Sequence, residues 1–207
     1  NLLSFGLDTP VGSLKSQKSL YKEIIKKYGY DFVHAQLPSK NIGNLNNCLK
    51  DGGKFVDPNC LFHIDCTKEI IKCLSKDASE IKNICEIGAG FGSMSRVLIN
   101  CFKNSKIIII DLPEANFLCS YFLLKHFPTK NFLFYCDLKD EKVINQEIIK
   151  DYDIIIIPAW VKLENLEIDI FANVRSFMEM DLKIIDDYFE NIQKLISLKG
   201  IFLNINR

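Results

Sequence analysis

The chain has 207 residues, 26 of them basic and 26 acidic, so its formal net charge is zero; 48% of it is apolar and 25% charged. That length accommodates one sizeable core, and the neutral balance excludes a broad electrostatic surface for nucleic acid or an anionic membrane. The eight cysteines include no Cys-x-x-Cys pair and no Cys/His cluster, which favours buried free thiols over a metal site or a disulfide framework.

The start, Asn1-Leu2-Leu3-Ser4, lacks the basic residues and apolar region of a secretory signal. Leu14 to Tyr28 places Leu20, Ile24, Ile25 and Tyr28 on one face and charges on the other, which predicts a helix. Pro38 to Pro58, rich in Asn, Gly and Lys, predicts loop or irregular structure. Leu61 to Ser75 carries a helical stripe of Leu61, Ile64, Ile70, Ile71 and Leu74.

From Ile81 the pattern alternates between strand and helix. Strands are expected at Ile84–Ile87, Lys106–Asp111, Phe132–Tyr135, Ile154–Ile157, Ile168–Val174 and Ile201–Ile205. Helices are expected at Met94–Phe102, from Pro113 to about His126, around Glu141–Lys150, and over Leu182–Leu198 with Gly200 as its cap. Continuous apolar strands between helices imply a parallel sheet covered on both faces. The division is thus a helical and irregular segment over residues 1–80 and an α/β domain over 81–207. The apolar runs are too short to cross a bilayer, and a cytoplasmic protein without a membrane span is the expectation.

The segment Asn83-Ile84-Cys85-Glu86-Ile87-Gly88-Ala89-Gly90-Phe91-Gly92 reads as a buried strand and a glycine turn, with a helix following. Alternate glycines allow a tight turn and bring backbone amides close to a ligand. A dinucleotide turn would place its third glycine at Ser93, one position later than Gly92. Glu86 also repels a pyrophosphate and suits a ligand with an ammonium group. Asp111, ending the next strand, is placed to accept hydrogen bonds from ribose hydroxyls; it equally suits an N-cap for the helix from Pro113. Together these features favour an adenosine-containing ligand.

Glu86-x-Gly88-x-Gly90-x-Gly92 resembles the first motif of class I methyltransferases that use S-adenosyl-L-methionine, and Asp111-Leu112-Pro113-Glu114 resembles the following strand end in small-molecule O-methyltransferases. Asn173-Val174-Arg175-Ser176-Phe177-Met178-Glu179-Met180 resembles a segment of sugar O-methyltransferases, as does the terminal Leu203 to Arg207. The resemblance covers residues 81–207 well and the first eighty loosely. It implies a Rossmann-like class I methyltransferase sheet with an N-terminal helical segment, and S-adenosyl-L-methionine as cofactor. The donor site would comprise Glu86, Gly88, Ala89, Gly90, Asp111 and Leu112, with an adenine wall at Pro158, Ala159 and Trp160 if Ile154–Ile157 is the third strand. If Phe132–Tyr135 is the third strand, Asp137 meets the adenine instead; the first choice is preferred.

Methyl transfer to a sugar hydroxyl calls for a base to remove the proton during attack. Asn173, Ser176 and Glu179 are the candidates, and Glu179 is the evident base. Arg175 could pair with an anionic group on the acceptor. His34, His63 and His126 are isolated; His63 precedes the sheet on a helix that could reach the cleft. No paired carboxylate motif argues for a metal. The acceptor would be a sugar, free or carrier-linked, plausibly destined for a surface glycan. An NAD-dependent oxidoreductase and a non-catalytic binding protein of the same fold are the competing functions. The chain starts without Met and ends before the closing strands of such a sheet. It is therefore expected to be a fragment at the C-terminus, or to have its exposed edge covered by another subunit in a homo-oligomer.

Overall fold

Strands form where the chain offers unbroken runs of β-branched residues, and those runs lie inside because both faces of such a strand are apolar. The computed structural model describes residues 14–43, 48–138 and 143–206. Its first elements are helices α1 (Leu14–Tyr28) and α2 (Tyr30–Gln36), the hairpin β1 (Leu49–Asp51) and β2 (Lys54–Val56), and α3 (Pro58–Cys73). Helix α3 starts where Asp57 caps it, its carboxylate accepting from Asn59 N at 3.1 Å, with Pro58 in the first turn. These elements share a core of Tyr21, Ile24, Val33, Leu61 and Ile64, which also takes in Val97 of the helix after the glycine turn.

The alternating part supplies β3 (Asn83–Ile87), α4 (Ser93–Cys101), β4 (Lys106–Asp111), α5 (Pro113–His126) and β5 (Phe132–Phe134). It continues with β6 (Val143–Ile144), α6 (Gln146–Ile149), β7 (Ile154–Pro158), β8 (Lys162–Leu163), β9 (Ile168–Val174), α7 (Leu182–Leu195) and β10 (Ile196–Ile205). Six strands form one sheet in the order β10-β9-β3-β4-β7-β5, every neighbouring pair parallel. Successive residues point to opposite faces. Ile84, Ile107, Ile109, Ile156 and Ile170 pack beneath α4 and α5, while Cys85, Ile108, Ile155 and Phe171 pack with Ile192 and Leu195 of α7. This is the doubly wound, Rossmann-like architecture expected from residue 81 onward.

The register identifies the third strand of the sheet. β7 lies directly beside β4, with Pro158 opposite Asp111, and β5 is displaced to the edge. The preferred placement of Ile154–Ile157 is the one observed. Asp169 lies at the start of β9 and ties the sheet together. Its carboxylate accepts from Lys82 N at 2.8 Å, Asn83 N at 3.2 Å and Ser197 Oγ at 3.3 Å, and pairs with Lys76.

Several expectations need correction. The region Pro38 to Pro58 is not irregular throughout, since Gly52 and Gly53, both at positive φ, turn the β1–β2 hairpin. The helix expected around Glu141–Lys150 is only the single turn α6, whose N-cap is Asn145, and Val143–Ile144 pairs as a strand with β8. Residues 141 and 142 lie outside the described residues, as do Asn1 to Ser4 and Arg207. Gly200 does not cap α7. The helix ends at Leu195 because Ile196 turns extended (ψ 131°) and pairs with Ile168. Gly200 then sits in a bulge of β10, where a Cβ would come 2.5 Å from Ile196 Cγ1. The thiols are free, but not uniformly buried: Cys60, Cys66, Cys85 and Cys119 are buried whereas Cys73 and Cys136 are exposed. Among the described residues no helix is long and apolar enough to cross a membrane.

Candidate functional site

The C-terminal ends of β3, β4 and β9 open into a cleft of about 250 Å³, as expected for an open parallel sheet. Its floor is the glycine turn. Gly88, Gly90 and Gly92 all adopt positive φ (75°, 56° and 88°), and each uses that freedom differently. A Cβ on Gly88 would land on the Ser176 hydroxyl, and one on Gly92 would come 2.7 Å from Cys119 Sγ of α5. Gly90 has nothing within 4 Å of that position. Its open side faces the cleft.

Two carboxylates line this floor. Glu86 is only 3% exposed, and the Ser95 hydroxyl, one turn into α4, donates to its Oε2. Burial pushes its carboxyl up to about 7; the Ser95 hydrogen bond opposes the shift and the neighbouring Asp111 adds to it. Asp111 Oδ2 accepts from Gly90 N at 2.7 Å, and its Oδ1 accepts from Leu112 N at 2.7 Å. Burial raises its carboxyl too, aided by the charge of Glu179 and resisted by those two N–H groups. Two desolvated carboxylates with raised proton affinity are a site that a cationic ligand would relieve.

The structure brings Glu86, Gly88, Ala89, Gly90, Asp111, Leu112, Ser176 and Glu179 to one cleft. Asn173 is not in its lining. It is fully buried: its Nδ2 donates to Ile87 O at 3.0 Å and to the Ser176 hydroxyl, and its Oδ1 accepts from Phe177 N at 3.4 Å and Asn206 Nδ2 at 3.0 Å. Ser176 Oγ also donates to Ile87 O, at 3.1 Å. Asn173 and Ser176 thus pin the end of β9 to the last residue of β3, immediately before Gly88. Asn173 lies beneath the turn, its side chain buried and taken up by these bonds, and does not open into the cleft. Ala159 lines a second cavity, bounded by β8 and α7, and Trp160 is 53% exposed with its ring edge-on to Tyr135 at 5.8 Å.

The cleft wall opposite the sheet comes from α3, which contributes Asn59, Phe62 and His63. His63 Nδ1 lies 3.1 Å from Ser93 Oγ at the start of α4. Burial, with the charges of Arg96 and Arg175, lowers its imidazole to about 3, so it is neutral at ordinary pH. Phe62 carried no sequence signal; the helical stripe that placed Leu61 and Ile64 inward puts Phe62 and His63 on the adjacent side. Among the described residues, no group of three or more His, Cys, Asp or Glu could hold a metal ion.

No protein-family model and no curated protein matches the chain. Among solved structures it is similar to coclaurine N-methyltransferase bound to N-methylheliamine and SAH, at 12% identity over 95% of this chain and 58% of that one, with a TM-score of 0.47. It is also similar to PKMT2 from Rickettsia typhi in complex with AdoHcy, at 13% identity over 66% and 23% of the two chains, TM-score 0.45. A third is the glycopeptide N-methyltransferase MtfA complexed with (S)-adenosyl-L-methionine, at 9% identity over 68% and 48%, TM-score 0.42. The match spans less than two thirds of each of these solved chains. Likeness of this order concerns the arrangement of strands and helices alone.

Proposed function

We propose that the chain is a methyltransferase that takes S-adenosyl-L-methionine as donor and methylates a hydroxyl of a sugar, free or carrier-linked. The observation that carries this reading is the buried Glu86 carboxylate under an open glycine turn, with Asp111 beside it. A dinucleotide pyrophosphate would meet two carboxylates there, whereas an ammonium and a pair of ribose hydroxyls would be well received.

The residues present fit the donor. Glu86 would hold its ammonium, the Gly88–Gly90 turn its methionine part and Asp111 its ribose, with Leu112 alongside. Ala159 and Trp160 follow Pro158, the register partner of Asp111, but are not in the lining of this cleft; their place against the adenine rests on the resemblance alone. When bound, S-adenosyl-L-methionine supplies an activated methyl group. Glu179, exposed at the cleft, accepts the proton of the acceptor hydroxyl. Asn173 and Ser176 hold the β9 end, and so Glu179 three residues after Ser176, against the glycine turn. α3 closes the opposite side and limits water access. The sugar class rests on the resemblance of the Asn173–Met180 segment, and a surface glycan is the destination we favour.

Calorimetry on the folded chain tests the donor: S-adenosyl-L-methionine and its demethylated product should bind in the micromolar range, and NADH should not. Absence of binding to either sulfur ligand ends the reading. With an accepted sugar in hand, Glu179→Gln should lower turnover on the order of 10²-fold while donor affinity holds. Loss of a methylated sugar from surface glycans in cells lacking the gene, followed by mass spectrometry, checks the destination.

A further inference from the structure

Arg175 has three features that the donor site does not explain. Its backbone is left-handed, at φ 67°, a conformation that strains any residue with a Cβ. Its guanidinium lies over the Phe62 ring, 4.8 Å from the centroid, in the lining of the cleft. Finally, it takes part in none of the ion pairs formed among the described residues. The strained backbone is fastened by Arg175 N donating to Ile205 O at 2.7 Å. An arginine of surface convenience needs none of this.

The charges of the cleft fall into two groups. Asp111 acts on Glu86, and the charge of Glu179 on Asp111, on the side of the glycine turn. His63 feels Arg96 and Arg175 on the side of α3. The acidic side suits a cationic donor. On the other side, a guanidinium held over an aromatic ring has no carboxylate among the described residues taking up its N–H groups, whose fork matches a carboxylate or phosphate. The neutral imidazole of His63 adds a hydrogen-bonding group next to it.

We propose that the acceptor bears an anionic oxyacid group, a carboxylate or a phosphate, and that Arg175, braced on Phe62, binds it. That the anion belongs to an acceptor rests on the methyl-transfer reading; that Arg175 binds an anion does not. The preferred substrates are then uronic acids or sugar phosphates, including phosphate-linked carriers, over neutral sugars.

The test follows the imidazole resonances of His63 by NMR in the full chain, without donor, during titration with glucuronate, glucose 6-phosphate and glucose. At least one anionic sugar should shift His63 saturably at a concentration at least tenfold below that needed for glucose; which one does so separates carboxylate from phosphate. Arg175→Gly, which accepts φ 67° without strain and should melt no lower than the parent, should abolish the preference. Equal response to all three sugars, or a preference that survives in Arg175→Gly, overturns the proposal. Calorimetry with the demethylated donor supplies the second arm. Arg175→Gly should bind it within twofold of the parent, and a tenfold loss would place the guanidinium on the donor's own carboxylate and overturn the assignment. Anion binding that persists where the sulfur ligand fails to bind supports the anion site and removes the methyl-transfer reading.

Discussion

Glu86, the residue proposed to hold the donor's ammonium, works against the fold that carries it. Its carboxyl stands near 7 when folded, against an ordinary 4.5. A raised value means that its contribution to stability is complete below about pH 4.5 and is lost as pH rises through 7, leaving a cost on the order of 3 kcal/mol in alkaline solution. Glu86→Gln keeps an acceptor for Ser95 and removes the charge. Thermal melts at pH 8 should therefore show the variant more stable than the parent, with the gap closing by pH 5; a lower melting temperature at pH 8 would refute this account. The same variant should lose donor affinity at least about tenfold. In the parent, that affinity should rise with pH from 5 to 8, by up to about tenfold per unit below pH 7, as the carboxylate ionises. The sequence revealed Glu86 because an acid before a glycine turn is unusual chemistry. It could not reveal Asn173 as a strut between strands, because its distant partners, Ile87 O and Asn206 Nδ2, are brought near only by folding.

Elements were legible where the local signal was unopposed. The runs Lys106–Asp111 and Ile168–Val174 and the helix from Pro113 to His126 appear with the expected bounds, since a run of four isoleucines, a mainly apolar segment of strand length or a proline start leaves little choice. The α7–β10 junction was not legible: no glycine or proline stands at Leu195–Ile196, and pairing with Ile168 ends the helix. The β1–β2 hairpin was hidden by a polar composition, although Gly52-Gly53 is a turn signal. Within the glycine turn, the three positions should respond unequally to alanine. Gly90→Ala meets no atom and carries only the left-handed strain of about 1 kcal/mol, yet its methyl would occupy the donor side of the cleft. Gly88→Ala carries the same strain and must also displace Ser176, with Asn173 behind it. Denaturant titration should find Gly88→Ala the more destabilised by about 2 kcal/mol or more; equal losses would show that the Ser176 contact is soft. Only calorimetry would then expose the defect in Gly90→Ala.

At the scale of the molecule, α3 and the parallel sheet share one cleft, because Phe62 and His63 of α3 wall it. Arg96 of α4 fixes this contact, its guanidinium buried and donating to Gln36 O at 2.7 Å and Cys60 Sγ at 2.9 Å. Neither link could be read from the sequence, because Gln36 and Cys60 reach Arg96 only through the fold. Asp169 does the same for the sheet. Burial pushes its carboxyl upward, but Lys76 and the N–H groups of Lys82 and Asn83 outweigh that and hold it below the usual range. Its stabilisation is thus present above about pH 4 and lost as pH falls further. Asp169→Ala should cost about 3 kcal/mol at neutral pH and flatten the acid limb of the stability profile, as measured by denaturant midpoints between pH 3 and 7; an unchanged acid limb would assign acid lability elsewhere.

The strand order also governs how the chain finds its structure. Emerging in sequence, β3 and β4 can pair through a local crossover, but β5 has no partner until β7 has been made and inserted beside β4. β3 waits longer for its other neighbour, since Ile84 must meet Ile170 of β9. Loop-closure entropy is therefore incurred before most of the sheet's contacts can form, and such topologies fold slowly. During that interval the Ile107–Ile110 run has one bare edge. On a ribosome or in a refolding vessel, the passage from β4 to β7 is the stage at which this protein is most exposed to aggregation.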